Sequence, residues 1–331
     1  MTRIQLSKAL LLSCCFSIPF SFADNDRPLF SVTMSESGVP KNNNEGGITR
    51  SSSSESRILP IWGDEARARG YDIPEPFGVS YGYMNLRQDI VVDKIGFIMP
   101  KNPETASALS IEAGHTREKS ETHTLKIDSW VFPFLNVYGL YGHTKGTSHT
   151  QLKDGTFDLG FAKLPLDFLK DQPFDLDFKG KTYGGGFTLA GGYKQVFTTL
   201  DLNYTYTDLD ILDGNIKALV ISPRIGYEFV FDPMFSGQGN TKVQVWTGAM
   251  YQDITQYFRG DVNKLDLPPA FKGFVNALDD PGMKFDVKQH LAHKWNNTVG
   301  ARVELTRNFN VLTEIGFNNR NSFYISGEFR F

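Results

Sequence analysis

The last nine residues, from Phe323 to Phe331, alternate strictly: Phe323, Ile325, Gly327, Phe329 and Phe331 fall on one face, and Tyr324, Ser326, Glu328 and Arg330 on the other. Side chains of a strand point alternately to its two faces, so this segment needs an apolar medium on one side and a polar one on the other. Two settings meet that demand. One is the edge of a soluble sandwich, and the other is a barrel wall between lipid and a polar lumen.

The opposite end bears on the choice. Arg3 and Lys8 precede an apolar stretch from Ala9 to Phe20 and the small-residue exit Ser21-Phe22-Ala23, which predicts a secretory signal over 1–23. The only two cysteines, Cys14 and Cys15, lie within that segment, so an exported chain carries no thiol and no disulfide, and no cofactor is expected. A net charge of −3 argues against nucleic acid as a partner. After the signal no run reaches the ~18 apolar residues of a membrane helix. With 27 Phe, 13 Tyr and 31 Gly, the chain is left as a soluble β-protein or a closed barrel in lipid.

An export signal followed by a final strand of alternating hydrophobics ending in Phe331 resembles Gram-negative outer-membrane β-barrel proteins. The resemblance covers the last strand and singles out no subfamily. It implies an all-β fold, a transmembrane antiparallel up-and-down barrel in the cell outer membrane. It also implies outer-membrane lipid and the barrel assembly machinery as partners, with Phe323, Ile325, Gly327, Phe329 and Phe331 as the assembly signal.

The organisation follows. Residues 24–57, with NNNEGG and the run Ser51 to Ser54, are too polar to order themselves. Residues 58–76 form a short periplasmic or plug-like segment, in which Gly63 to Arg69 has acids first and bases last, as a short helix would. The barrel occupies 77–331. Alternation predicts strands near 77–98, 121–130, 134–145, 181–193, 195–207, 217–231, 241–252, 295–305 and 309–317, besides the last. That makes about ten strands, or twelve if 77–98 divides. Phe317, Phe323, Tyr204, Tyr206 and Tyr251 fall at one level, and Phe309, Phe331, Phe229, Phe231 and Tyr193 at another, as two interfacial belts should. Pro223 predicts a bulge, because proline removes a ladder hydrogen bond. Segments 99–120, 146–180 and 253–294 read as long extracellular loops. Within the last, Phe271, Phe274, Val275 and Leu278 recur at helical spacing, as a helix folded over the barrel mouth or offering a contact surface.

Three constellations bear on function. Arg224, Glu228, Arg302, Glu304, Glu314, Glu328 and Arg330 all face inward on this register. Charges in a narrow lumen either pair and plug it or line a selective path, and Arg302, Glu304, Glu314, Glu328 and Arg330 are expected to form one network. Gly184, Gly186, Thr188, Ala190 and Gly192 leave space beside them. Pairing 121–130 with 134–145 sets His123 opposite His143 and, further along, His115 opposite His149, a possible metal or pH-sensing site. Asp208, Asp210 and Asp213 stand at a rim apart from the histidines. The chain therefore reads as a non-enzymatic barrel, either a narrow or gated path for a small solute or a binder of an extracellular ligand. The alternatives are a surface hydrolase and a structural or adhesive barrel without conduction.

Overall fold

A computed structural model describes residues 58–68, 73–159, 161–210, 213–233, 241–265, 267–306 and 308–331. The expected signal over 1–23 and the polar arm over 24–57 lie outside the described residues. Helix α1 (Gly63–Ala68) precedes strand β1 (Phe77–Ile98), helix α2 (Pro103–Ala108), and strands β2 (Leu109–Phe132), β3 (Leu135–Asp158) and β4 (Lys163–Pro165). Then come β5 (Pro173–Tyr193), β6 (Val196–Leu209), β7 (Asn215–Phe231) and β8 (Thr241–Asp261). Helix α3 (Pro269–Ala277) leads to β9 (Lys284–Leu291), β10 (Trp295–Thr306), β11 (Phe309–Phe317) and β12 (Arg320–Arg330).

All pairings are antiparallel, and they close two rings of different size. Among the described residues, β1, β2, β3, β5, β6, β7, β8, β10, β11 and β12 pair in that cyclic order, which makes a ten-strand wall. Above the β11–β12 turn, β9 takes the place of three strands: it pairs with β1 on one side and β8 on the other. Segment 77–98 is one strand, paired first with β12 and then with β9. The wall therefore narrows where the last hairpin ends.

The lower part is the membrane-spanning part. Its outward positions are large and apolar, among them Ile127, Val137, Leu189, Ile225, Val245, Val299, Ile315 and Ile325, all exposed. Aromatic residues gather at both ends of this band. Tyr251 packs on Trp295 at 5.2 Å and Tyr183 on Tyr206 at 5.4 Å between ring centroids at the outer end, while Phe77 packs on Phe331 at 6.1 Å at the inner end. A closed wall satisfies every backbone group without water, which is the condition for crossing lipid.

Two expectations are corrected. Much of the segments read as extracellular loops is strand: β2 begins at Leu109, β3 runs to Asp158, β5 starts at Pro173 and β8 reaches Asp261. The alternation there carries charged residues outward and apolar ones inward, the reverse of the lipid-facing part, so the inside–outside pattern inverts along one strand. Pro223 makes no bulge. Its strand keeps one register from Ile221↔Tyr251 to Arg224↔Gly248, and the proline only leaves a gap in the ladder toward β8.

Candidate functional site in the lumen and its extracellular cap

The inner end of the lumen is closed by a charge cluster built on a glycine. Gly78 is the register partner of both Arg330 and Asp128, and a Cβ there would lie 2.5 Å from Asp128 Oδ1 and 2.7 Å from Arg330 Nη1. The missing side chain lets the two charges meet across the intervening strand. Arg330 Nη2 donates to Asp128 Oδ2 at 2.9 Å, its Nη1 to Glu328 Oε1 at 2.6 Å, and its Nε to the Glu75 carbonyl at 3.1 Å. Arg302 Nη2 donates to the same Glu328 oxygen at 3.3 Å, and Asn136 Nδ2 to Asp128 at 2.6 Å. Just beneath, Ile61 N donates to the Val131 carbonyl at 2.8 Å and Trp62 packs on Phe132, so the residues around α1 sit at this mouth.

Further out, Arg224 grips Glu314 with two hydrogen bonds, Nε to Oε2 at 2.7 Å and Nη2 to Oε1 at 3.0 Å, the paired geometry that favours guanidinium with carboxylate. Trp246 Nε1 donates to the same carboxylate at 2.7 Å, and its ring fills the space over Gly300. Glu314 therefore belongs with Arg224 and Trp246 rather than with Arg302 and Arg330, because only β10 separates β8 from β11 and Gly300, between Trp246 and Glu314 on one row, leaves the indole room to reach the carboxylate. Gln244 Nε2 donates to Glu228 at 2.7 Å, and Glu304 is buried on the inward face of β10.

The space expected beside the small residues of β5 is occupied. Tyr138 leans from β3 over Gly186 and donates its hydroxyl to Asp201, which also accepts from Thr188 Oγ1 at 2.7 Å and Asn203 Nδ2 at 3.1 Å. At the outer boundary of the lipid, Thr122, Thr144, Thr182 and Thr207 join hydroxyl to hydroxyl across four strands.

Beyond that ladder the wall narrows, and Glu118 stands at the neck, 3 % exposed. It lies three residues past the Asn85↔Glu121 row of the outer aromatic belt, hence outside the lipid. Gln256 Nε2 donates to it at 2.7 Å and Gln88 Nε2 at 3.3 Å. Burial pushes its carboxyl up to about 7 against those hydrogen bonds. Sequence reading missed it because it fell within a presumed loop; its alternation with Arg117 and Lys119 was the available signal.

The remainder of the extension is filled with apolar side chains. Phe174 of β5 meets Phe285 of β9, and Phe178 of β5 meets Phe258 of β8, beyond the point where β6 and β7 have turned back. Helix α3 closes the top: Phe271 is fully buried and meets Phe97 edge-on at 6.2 Å, Val275 is buried, and Phe274 packs on Phe168. The helix read at this position thus covers the mouth.

The four histidines do not form one site. His123 pairs with His143 in register, on the outer surface, and accepts or donates through Nδ1 with the Tyr81 hydroxyl at 2.7 Å. His149 faces Arg117 instead of His115, because the register that joins His123 to His143 continues unbroken to Arg117↔His149. A register shift between Ala113 and Thr116 then leaves His115 beside Asp89, with Nε2 3.4 Å from the carboxylate. Among the described residues no group of three His, Cys, Asp or Glu side chains is placed to hold a metal.

His149 Nδ1 is hydrogen-bonded to Asp175 on the outer face. The pair lines a cleft of about 800 Å³ together with Arg117, Lys119, Asp177, Asp213, Asp261, Lys264 and Lys284. Asp213 and the histidine hairpin, separate in the sequence reading, share this cleft. Ser148 faces the interior, on the opposite side of β3 from the pair.

No protein-family model matches the sequence, and no curated protein sequence matches it. Among solved structures, the chain is similar to the β domain of the Bordetella autotransporter Brka, at 8 % identity over 78 % of this chain and 100 % of that one, with a TM-score of 0.37. It is similar to the transport unit of the autotransporter AIDA-I from Escherichia coli at 10 % identity, over 77 % and 90 % of the two chains, with a TM-score of 0.34. For the Ralstonia pickettii toluene transporter TbuX the values are 10 %, 78 %, 90 % and 0.26. The closed antiparallel wall, its outward apolar band and its two aromatic belts make this protein an outer-membrane β-barrel.

Proposed function

We propose that the protein is a non-enzymatic surface barrel, a plugged membrane anchor that carries an extracellular β-extension for binding a ligand outside the cell. One observation carries this reading: the extension is filled by a continuous apolar core, from Ile90 and Phe97 through Phe178 and Phe258 to Phe271 on the buried face of α3. Strands that run about a dozen residues past the lipid, on the order of 35 Å, are kept rigid by such a core. A path for hydrated solutes needs the opposite, a wet interior. The cleft around His149 and Asp175 offers both signs of charge on the outer face and suits a ligand that is itself charged and polar. Refolded protein in planar bilayers should give no conductance steps, and steps at ordinary voltages would overturn the plugged reading.

A second reading is favoured by the form of the lid. The mouth is covered by one nine-residue helix, α3, which a gated path would need to lift. Phe97 and Phe271 meet at that point, so the double variant Phe97→Cys/Phe271→Cys tests it. Conductance that a reductant opens and an oxidant closes would establish the gate.

A further inference from the structure

The hydrogen bonds at the neck have a forced direction. An ionised carboxylate only accepts, so Gln88 and Gln256 must turn their amino groups to Glu118, which leaves each carbonyl oxygen to find a donor other than the carboxyl. Gln256 Oε1 then accepts from Gln289 Nε2 at 2.5 Å, which leaves the chain ending in Gln289 Oε1 on one side and Gln88 Oε1 on the other. Neither oxygen has a hydrogen-bond partner, and both residues are buried, at 1 % and 3 % exposure. Ser148, the register partner of Glu118, is 1 % exposed, and its Oγ is also without a partner. Buried polar atoms are rarely left so; the two amide oxygens can only accept, and the Ser148 hydroxyl keeps lone pairs free beside them.

No side-chain cation of the described residues supplies it. Arg117 and Lys119, which flank Glu118 in sequence, point outward. Arg320, two strands away on the same row, donates to the carbonyls of Met250 and His293 at 3.4 Å. On β9, His290 is outward and paired with Asp93.

We propose that the neck binds a monovalent alkali cation between the Glu118 carboxylate, Gln88 Oε1 and Ser148 Oγ. One carboxylate among neutral oxygens balances a single positive charge, whereas a divalent ion takes its ligands from several carboxylates. The site lies between the apolar cap and the threonine ladder, so the ion enters from the lumen.

The test uses refolded full-length protein in detergent at pH 8, with sodium, potassium or choline chloride at equal ionic strength. Sodium or potassium should raise the melting temperature by at least about 3 °C over choline, as a ligand confined to the folded state does. Glu118→Gln should melt alike in all three salts. Sodium NMR lines should broaden with the wild type, sharpen when potassium is added, and stay sharp with Glu118→Gln. Equal melting in the three salts without broadening would mean that Glu118 holds a proton alone, and would overturn the site. A cation effect that survives in Glu118→Gln would overturn it too, by placing the ion elsewhere.

Discussion

Arg330, on the last strand, donates to Asp128, on the second, across the first strand between them, at 2.9 Å and with side-chain exposures of 2 % and 0 %. The contact ties the two ends of the ring together at its inner mouth. Arg330→Met leaves Asp128 and Glu328 buried without their main partner and should lower stability by about 3–5 kcal/mol. Chemical unfolding measures it, and the pair Arg330→Met/Asp128→Leu should recover part of the loss. A single-variant effect within about 0.5 kcal/mol, as at solvated positions, would show that water fills this mouth.

The lumen charges divide into two groups, and coupling energies can separate them. A double-mutant cycle on Arg224 and Glu314 should give roughly 1–3 kcal/mol, whereas one on Arg302 and Glu314 should give no more than about 0.5 kcal/mol. Arg302→Ala alone should lower stability by about 2–4 kcal/mol through its contact with Glu328. Strong coupling of Arg302 to Glu314 would restore the single network expected from the sequence.

Glu118 makes stability depend on pH in a predictable direction. Its carboxyl titrates near 7 when folded against an ordinary 4.5, so the folded chain holds the extra proton between those values. The stability it contributes is fully present below about pH 4.5 and lost as pH rises through about 7. A difference of that size corresponds to about 3 kcal/mol. In choline chloride the difference between wild type and Glu118→Gln should shift by that order across the window. A flat difference would mean that the carboxyl is solvated.

Helix α3 is held by its buried face. Phe271→Ala should remove about 3–5 kcal/mol of packing and expose the segment around α3, which is measured as faster proteolysis between 262 and 283 while the lower barrel stays resistant. Equal protection in variant and wild type would mean that the lid is held from elsewhere.

The terminal residue closes the seam. Phe331 N donates to the Phe77 carbonyl at 2.9 Å, Phe77 N to the Phe331 carbonyl at 3.1 Å, and their rings pack at 6.1 Å. Deleting Phe331 should cut the yield of folded, heat-modifiable barrel in cells several-fold. Normal yield would show that the last residue serves neither the seam nor assembly.

Strand alternation by itself determined much of this protein. The inward placement of Arg224, Glu228, Arg302, Glu304, Glu314, Glu328 and Arg330, the two aromatic belts and the helix at Phe271 were all legible, because a period of two and a period of 3.6 are written in neighbouring residues. The ten-strand wall followed from counting those segments.

Tertiary structure decided what neighbours do for one another. The sequence shows a glycine as a gap, but only the register shows which large side chain fills it: Arg330 beside Gly78, Tyr138 over Gly186, Trp246 over Gly300. Register likewise moved His149 from His115 to Arg117 and brought Glu118 level with Gln88 and Ser148. The upper barrel was hidden for a different reason. Its strands exchange which face is apolar when they leave the lipid, since the medium outside changes from hydrocarbon to water, and a pattern that reverses midway reads in sequence as a loop. Pairings between residues far apart in the chain leave no local signature, so the partner of each lumen charge came from the closed ring alone.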